Sequence, residues 1–214
     1  MRGIMREYLL RWTLNGMPQA PFLCSEGEGE ALLLGHLVAS GMVDEAGDIQ
    51  SIWYDNGLWT VQALLKEGAA IPALMRLDGL KPLESALSLP ASEIIACCEQ
   101  VMGLDHAAGL HAILLSDGEK TSLGRDIGRH NAVEKAVGNA LQNGLALNRA
   151  VLASSGRLSL EMLAKAAFSH IPILVTKKQV GSLCVTYAEQ LGMTICRLED
   201  QLTPLSHPER VNGE

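Results

Sequence analysis

Aromatic side chains are scarce in this chain: two Phe, three Tyr and three Trp among 214 residues. Its core is therefore expected to be aliphatic, built from Leu, Val, Ile, Ala and Met, which suits strands and helices packed in layers. Cys-x-x-Cys spacing is also missing. The five cysteines, at 24, 97, 98, 184 and 196, form an odd set with no framework spacing, as expected of reduced thiols rather than a disulfide scaffold. Zinc ligands usually stand two to four residues apart, so adjacent Cys97 and Cys98 do not suit a metal, and no intrinsic metal is expected. No stretch reaches about 18 uninterrupted apolar residues, so no membrane-spanning helix is expected. The start, Met1-Arg2-Gly3-Ile4-Met5-Arg6-Glu7, is followed by only a short apolar run before Arg11 and lacks the apolar segment of a signal peptide. A cytoplasmic location follows as the expectation. Positive charge is in deficit, 17 Lys and Arg against 24 Asp and Glu for a net charge of -7. That excludes a general attraction to nucleic acid or to an anionic membrane, and any anion site has to be local.

Hydrophobic residues make up 48% of the chain, enough for a self-sufficient core. Tyr8 to Leu14 reads as a strand, Asn15-Gly16 as a turn, and Ile49 to Leu65 as two strands around Asn56-Gly57. Gly29 to Gly41 reads as a helix buried on most sides. Residues 68–91 are rich in Gly, Pro and Ser and read as a connection, which divides the chain into a small α+β part, 1–90, and an α/β part, 91–214. In the second part helices alternate with strands. Helices are expected over 92–102, 131–143, 159–168 and 180–191, and strands over 110–115, up to 123, 150–153, 171–176 and 193–198. After an initial hairpin such alternation implies a mostly parallel sheet with helices on both faces. Ligands are then expected at the carboxyl ends of the strands.

Three polar clusters fall at those ends. Gly124-Arg125-Asp126-Ile127-Gly128-Arg129-His130-Asn131 enters a helix. Two arginines and a histidine at a helix N-terminus oppose its dipole unless an anion sits between them, and that terminus offers free amides to a phosphate. The alternative is that Arg125 pairs with Asp126 or Glu134 while Arg129 is solvated. Ser154-Ser155-Gly156-Arg157-Leu158-Ser159 combines a glycine that admits close approach, hydroxyls at Ser155 and Ser159, and a planar fork at Arg157. Thr176-Lys177-Lys178-Gln179 adds two lysines, which could equally be a solvated surface. His111 interrupts an apolar strand and reads as a hydrogen-bonded core histidine. A zinc deaminase is excluded, since Ile113 stands where His-x-Glu needs its acid and no Pro-Cys-x-x-Cys follows.

The segments GLHAILL, GRDIGRHNAVEKAVGNAL and SSGRLSLEMLAKAAFSHIPIL, in this order and spacing, resemble the central signature of the FdhD family of formate dehydrogenase accessory proteins. Asn15-Gly16, GEALLLGHLVASGMV, Asp48-Ile49 and the ending Ser206-His207-Pro208-Glu209-Arg210 extend the likeness over nearly the whole chain. The resemblance implies a cytidine-deaminase-like α/β fold with a smaller N-terminal domain, paired as a homodimer. It also implies a sulfurtransferase, or sulfur carrier, that works in molybdenum cofactor biosynthesis. Such proteins take sulfur from a cysteine desulfurase and deliver it to the molybdenum or tungsten bis-pterin (molybdopterin) guanine dinucleotide cofactor of formate dehydrogenase. GDP would mimic half of that cargo. On the matching positions the resemblance implies cofactor contacts at His111, Arg125, Asp126, Gly128, Arg129, His130, Asn131, Ser155, Gly156, Arg157 and Ser159. Gly109, Glu161, Met162 and Lys165 match the same blocks, and Lys177 and Arg197, in the two following loops, are further cofactor-contact candidates.

Two loops depart from the family pattern. Where its Cys-Gly-x-Cys-Gly falls, this chain reads Met75-Arg76-Leu77-Asp78-Gly79-Leu80-Lys81, without a thiol to accept sulfane sulfur. Lys177-Lys178-Gln179-Val180 replaces a Ser-Ala-Pro-Thr turn. The catalytic residue is therefore unassigned, with Cys97, Cys98 and Cys196 as candidates. Cys97 and Cys98 point about 100 degrees apart on a helix, so at least one is expected to be buried and a poor nucleophile. The alternative is a non-catalytic paralogue that binds the cofactor or a nucleotide and has lost the transfer chemistry.

Overall fold

The computed structural model describes residues 6–104 and 109–213; Met1 to Met5, on which the reading of the amino terminus rests, lie outside the described residues. In chain order come β1 (Tyr8–Leu10), β2 (Trp12–Leu14), β3 (Met17–Pro18), β4 (Phe22–Cys24), α1 (Gly29–Ala39), β5 (Ile49–Asp55) and β6 (Leu58–Ala63). The alternation expected over 8–14 is present, with Leu10, Trp12 and Leu14 all buried. At exposed Arg11, however, the chain changes partners. β1 pairs antiparallel with β4, whereas β2 lies in a second sheet of order β3-β2-β6-β5, parallel to β6. The turn at Asn56-Gly57 joins β5 to β6, both residues having positive φ, as a tight hairpin demands.

The remaining elements are β7 (Leu89–Pro90), α2 (Ala91–Met102), β8 (His111–Ser116), β9 (Thr121–Asp126), α3 (Arg129–Gln142), β10 (Val151–Ser154), α4 (Leu160–Phe168), β11 (Ile173–Thr176), α5 (Ser182–Gln190), β12 (Thr194–Leu198), β13 (Leu202–Ser206) and β14 (Val211–Asn212). Six of these strands form the main sheet, ordered β13-β12-β11-β10-β8-β9. The α/β fold is as expected, and the sheet is mixed: β10, β11 and β12 pair in parallel, while β8 and β13 run against their neighbours. β9, β10, β11 and β12 therefore point the same way and end on one edge. Side chains alternate across the sheet. Ile113, Leu115, Leu152, Leu174 and Ile195 face α1, α3, α4 and α5; Ala112, Leu114, Val151, Ala153, Ile173, Val175 and Cys196 face α2. That strict period of two is what a sheet buried on both faces requires. The core does not stop at residue 90, since Leu32, Leu33 and Leu37 of α1 belong to one cluster with Val133, Ala136 and Met162.

The tightest joint in the molecule is between α1 and α3. A Cβ on Gly35 would lie 1.8 Å from the Glu134 carbonyl oxygen, and one on Gly138 would lie 1.9 Å from that of Ala31. Only two glycines allow the backbones to meet in this way. The same crossing buries a charge. Glu134, 2% exposed, holds Lys165 Nζ at 2.6 Å and His36 Nδ1 at 2.8 Å. Burial pushes its pKa up, but attraction to His36 and Lys165 and the hydrogen bonds from them outweigh this and bring it down to about 2. A carboxylate this deep stays ionised only because it is paired from two elements, α1 and α4.

Two outcomes follow. Gly35→Ala should destabilise by at least about 2 kcal/mol in urea denaturation, because overpacking against backbone exceeds the roughly 1 kcal/mol that alanine gains as a helix former; a neutral or stabilised variant would contradict this crossing. Glu134 has a depressed pKa, so its contribution is complete above about pH 4.5 and is lost as pH falls towards about 2. The stability difference between the wild type and Glu134→Gln, measured from pH 6 down to pH 3, should therefore shrink with acid.

Candidate functional site

The carboxyl ends of β9, β10, β11 and β12 and the start of β8 form one edge, and α3, α4 and α5 all begin there. Their caps are Gly128, Ser159 and Gly181, none making a side-chain cap hydrogen bond. First-turn amides thus remain open at three neighbouring helix N-termini, which is an electropositive rim suited to an anion. Along this edge His111 pairs in register with Asp126, Ser154 with Thr176, and Thr176 with Arg197. The Ser155–Ser159 and Lys177–Gly181 loops lie side by side: the Leu158 amide donates to Gln179 O at 3.1 Å and the Gly181 amide to Leu158 O at 3.0 Å.

Gly156 is the centre of this edge. A Cβ there would sit 3.2 Å from His111 Nδ1, so the imidazole lies against bare backbone. The turn is held from inside. Ser154 Oγ accepts from the Gly156 amide at 3.1 Å, and Thr176 Oγ1 donates to Gly156 O at 2.8 Å. Ser155 Oγ accepts from the Ala112 amide at 2.9 Å, which makes Ser155 part of the turn's frame. Arg157 projects into solvent. Ser159 Oγ and Arg197 Nε are buried polar atoms without a hydrogen-bond partner, although the Arg197 head group reaches Glu199 at 2.6 Å. Lys177 is exposed, with its ammonium 3.9 Å from Glu99. Ser154 and Thr176 open two of the clusters read from the sequence but are not among its candidate site residues; the signal for them is a hydroxyl closing each of two otherwise apolar strands.

The first cluster divides in two. Asp126 is fully buried and faces protein donors only: Lys135 Nζ at 2.8 Å, and the Ser25 amide, Ser25 Oγ, the Gly128 amide and Asn131 Nδ2, each at 2.9 Å. Burial raises its pKa, and the hydrogen bonds from Lys135, Gly128, Asn131 and Ser25 more than offset that and hold it below the usual carboxylate value. Asn131 also donates to Leu23 O at 2.9 Å. Asp126, Gly128 and Asn131 therefore lock the loop and fasten it to β4. Asp126 pairs with Lys135, and Glu134 with His36 and Lys165, in place of the pairing with Arg125 that the residues alone allow. Arg129 opens α3 at the rim. His130 Nε2 is 2.9 Å from Glu161; burial lowers its pKa, Glu161 pulls it up, and Lys165 and Arg129 push it down, for a net shift below 6.5 that favours the neutral ring.

No thiol is exposed at this rim, although Cys98 lies against the backbone of Lys177 and Cys184 stands in the first turn of α5. Cys98 and Cys196 are fully buried in the cluster between α2 and the sheet, and burial raises them to about 11 and about 12. Cys184 is raised to about 12, and Cys24 and Cys97 are raised as well, in each case first by burial. The burial expected of at least one of Cys97 and Cys98 falls on Cys98. The segment where the resemblance led to the expectation of a cysteine loop, Met75 to Lys81, falls mostly in a 3-10 turn, Ala73–Gly79. Arg76 donates to Ile71 O, Gly41 O and Ser40 O and stacks on Phe168, while Asp78 accepts from Tyr187 Oη at 2.9 Å. Phe168 ends α4 and Tyr187 lies late in α5, so this turn is fixed at the edge opposite the anion rim. Two cavities also lie off the rim: one of about 1190 Å³ beneath residues 80–88, and one of about 600 Å³ at the start of α1. Among the described residues no group of His, Cys, Asp and Glu is arranged to hold a metal ion, and no helix is long and apolar enough to cross a membrane.

Thiolate is the reactive form, so iodoacetamide at pH 7.5 should leave Cys24, Cys98, Cys184 and Cys196 unmodified in the native protein, with slow reaction at Cys97 alone, and should label all five in denaturant. Mass spectrometry reads the result; fast native labelling of Cys98 or Cys196 would contradict the burial described.

The FdhD/NarQ family profile matches residues 66–212. The chain is 31% identical to the sulfur carrier protein FdhD of Streptomyces avermitilis, over 90% of this chain and 82% of that one, and 32% identical to that of Streptomyces coelicolor over the same shares. Identity to the Bacillus subtilis sulfur carrier protein FdhD is 27%, over 97% of this chain and 90% of the relative. In fold the chain is similar to the crystal structure of a protein assigned as a formate dehydrogenase accessory protein from Desulfotalea psychrophila, with a TM-score of 0.81, 24% identity, and coverage of 97% of this chain and 90% of that one. With its signature blocks gathered on one rim and the profile spanning most of its length, this chain belongs to the FdhD/NarQ family.

Proposed function

We propose that this protein is a formate dehydrogenase accessory protein that binds the bis-pterin guanine dinucleotide cofactor of molybdenum or tungsten as cargo, and that it does so without carrying sulfur on its own thiols. One observation carries the binding: three helix N-termini without side-chain caps surround Gly156, with Arg129, Arg157 and Arg197 on the same edge. Pyrophosphate is the chemical group that such a rim favours, through open amides and planar guanidinium forks. Ser159 Oγ and Arg197 Nε, buried and lacking partners, are donors that a phosphate oxygen would satisfy. His111, against Gly156, is placed to orient a bound group, and Asp126 and Asn131 keep the rim's loop in place. The partner is formate dehydrogenase, and the assembly is a homodimer.

The second reading, a sulfurtransferase with a relocated carrier, is favoured by relatives named as sulfur carriers. Against it stand five thiols, none exposed and all raised. Incubation with a cysteine desulfurase and cysteine, followed by mass spectrometry, separates the two: added sulfur on any cysteine would support the relocated carrier and remove the claim that sulfur is not carried.

GDP is the probe for the rim. Calorimetry should detect binding to the wild type, and Arg157→Ala should weaken it by about 1.5 to 3 kcal/mol, the range for a hydrogen bond to a charged group, with little change in Tm. Absence of any binding heat with the wild type would sink the proposal.

A further inference from the structure

The cavity of about 600 Å³ at the start of α1 is lined by Tyr8, Tyr54 and Trp59 together with Glu26, Glu28 and Glu30. Three of the chain's eight aromatic residues thus meet at one place in a protein that has few. They are held firmly. Tyr54 and Trp59 are a cross-strand pair with ring centroids 5.1 Å apart, the Tyr8 hydroxyl lies near that of Tyr54, and the indole lies on Gly29, where a Cβ would be 2.6 Å from the ring.

Carboxylates in the first turn of a helix stabilise its dipole, and that alone would explain Glu30. It does not explain the three aromatic rings that share the cavity with them. No lining residue is Lys, Arg or His. The only basic group within 4 Å of these carboxylates among the described residues is Lys135, 3.9 Å from Glu28 and already bound to Asp126 at 2.8 Å. Glu28 also accepts from Asn139 at 2.8 Å, whereas Glu26 and Glu30 form no ion pair among the described residues. Ring faces and free carboxylates both attract cations, and together they select a planar one that can stack and be forked at once.

We propose that this cavity receives an arginine side chain of a partner protein. The argument for a protein-borne cation over a free one is the open mouth. Tyr54 is 52% exposed and all three glutamates are exposed, whereas a small-molecule site buries most of its ligand. A residue carried on a partner's surface brings its own cover. This site is separate from the anion rim, so its failure would leave the proposed cofactor binding untouched.

The test uses the full chain and the tripeptide N-acetyl-Gly-Arg-Gly-amide, with citrulline in place of arginine as the neutral control and tetramethylammonium as the free cation. In NMR titrations the arginine peptide should shift the Trp59 indole N–H, identified by its loss in Trp59→Phe, and the amides of 27–31, while the citrulline peptide leaves them unmoved. The double variant Glu26→Gln/Glu30→Gln, at exposed positions where folding is not at stake, should weaken the arginine peptide roughly two- to fivefold, and Tyr54→Leu should do the same. The proposal is overturned if the arginine peptide causes no shift, if citrulline does as well, or if the variants bind unchanged. Tetramethylammonium binding more tightly than the peptide would also overturn it, by assigning the cavity to a free cation.

Discussion

Backbone lies against backbone at Gly35 and Gly138, and this contact sets helix α3 against α1 and, through its other faces, against α4 and the strands β8 and β9. Bringing α1 and α3 so close leaves no room for water beside Glu134, which is why its charge has to be met by His36 from one helix and Lys165 from another. One residue further on, Lys135 points the other way and is met by Asp126 at the end of β9. Adjacent opposite charges on one helix, both buried, fix its rotation and its height along the sheet at the same time. Neither pair adds much net stability relative to apolar packing, but each makes any other register costly. The position of α3 in turn sets its N-terminus at the rim. The rim and the core are therefore consequences of the same joint.

The rim itself shows how a polar edge can be rigid before anything binds. Ser154, Thr176 and Asp126 use their polar atoms on the protein, forming turns whose amides and guanidinium groups are left over. Side chains that look like ligand contacts in the sequence are in several cases the frame. What faces outward is fewer groups in a fixed arrangement, the condition under which hydrogen bonds to an incoming anion cost least reorganisation.

Much of the fold was legible because its signals are local. Leu10, Trp12 and Leu14 alternate, Asn56-Gly57 closes a hairpin, and the helices of the second half follow their apolar period. β13 was not legible. Its Pro204 argues against a strand, yet β13 lies at the sheet's edge, where a missing amide costs nothing. The change of partner at Arg11 left no mark either, since side-chain alternation runs straight through it. At the site, glycine, arginine and hydroxyl clusters after strands were visible, but Asp126 and Asn131 could not be recognised as internal without Ser25 and Leu23, which are distant in sequence. Long-range pairing of this kind has no period to read.

The turn at Ala73–Gly79, where the resemblance led to the expectation of a cysteine loop, carries no thiol and is clamped by Arg76 on Phe168 and by Tyr187 on Asp78. It sits at the far end of α4, about 13 Å from that helix's start at nine residues and 1.5 Å each. A relay needs an arm that swings between donor and acceptor; this segment is a fixed post on the wrong bank. Restoring a thiol to it would supply the chemistry without the travel, and the arginine clamp would have to be released before a sulfur atom could cross.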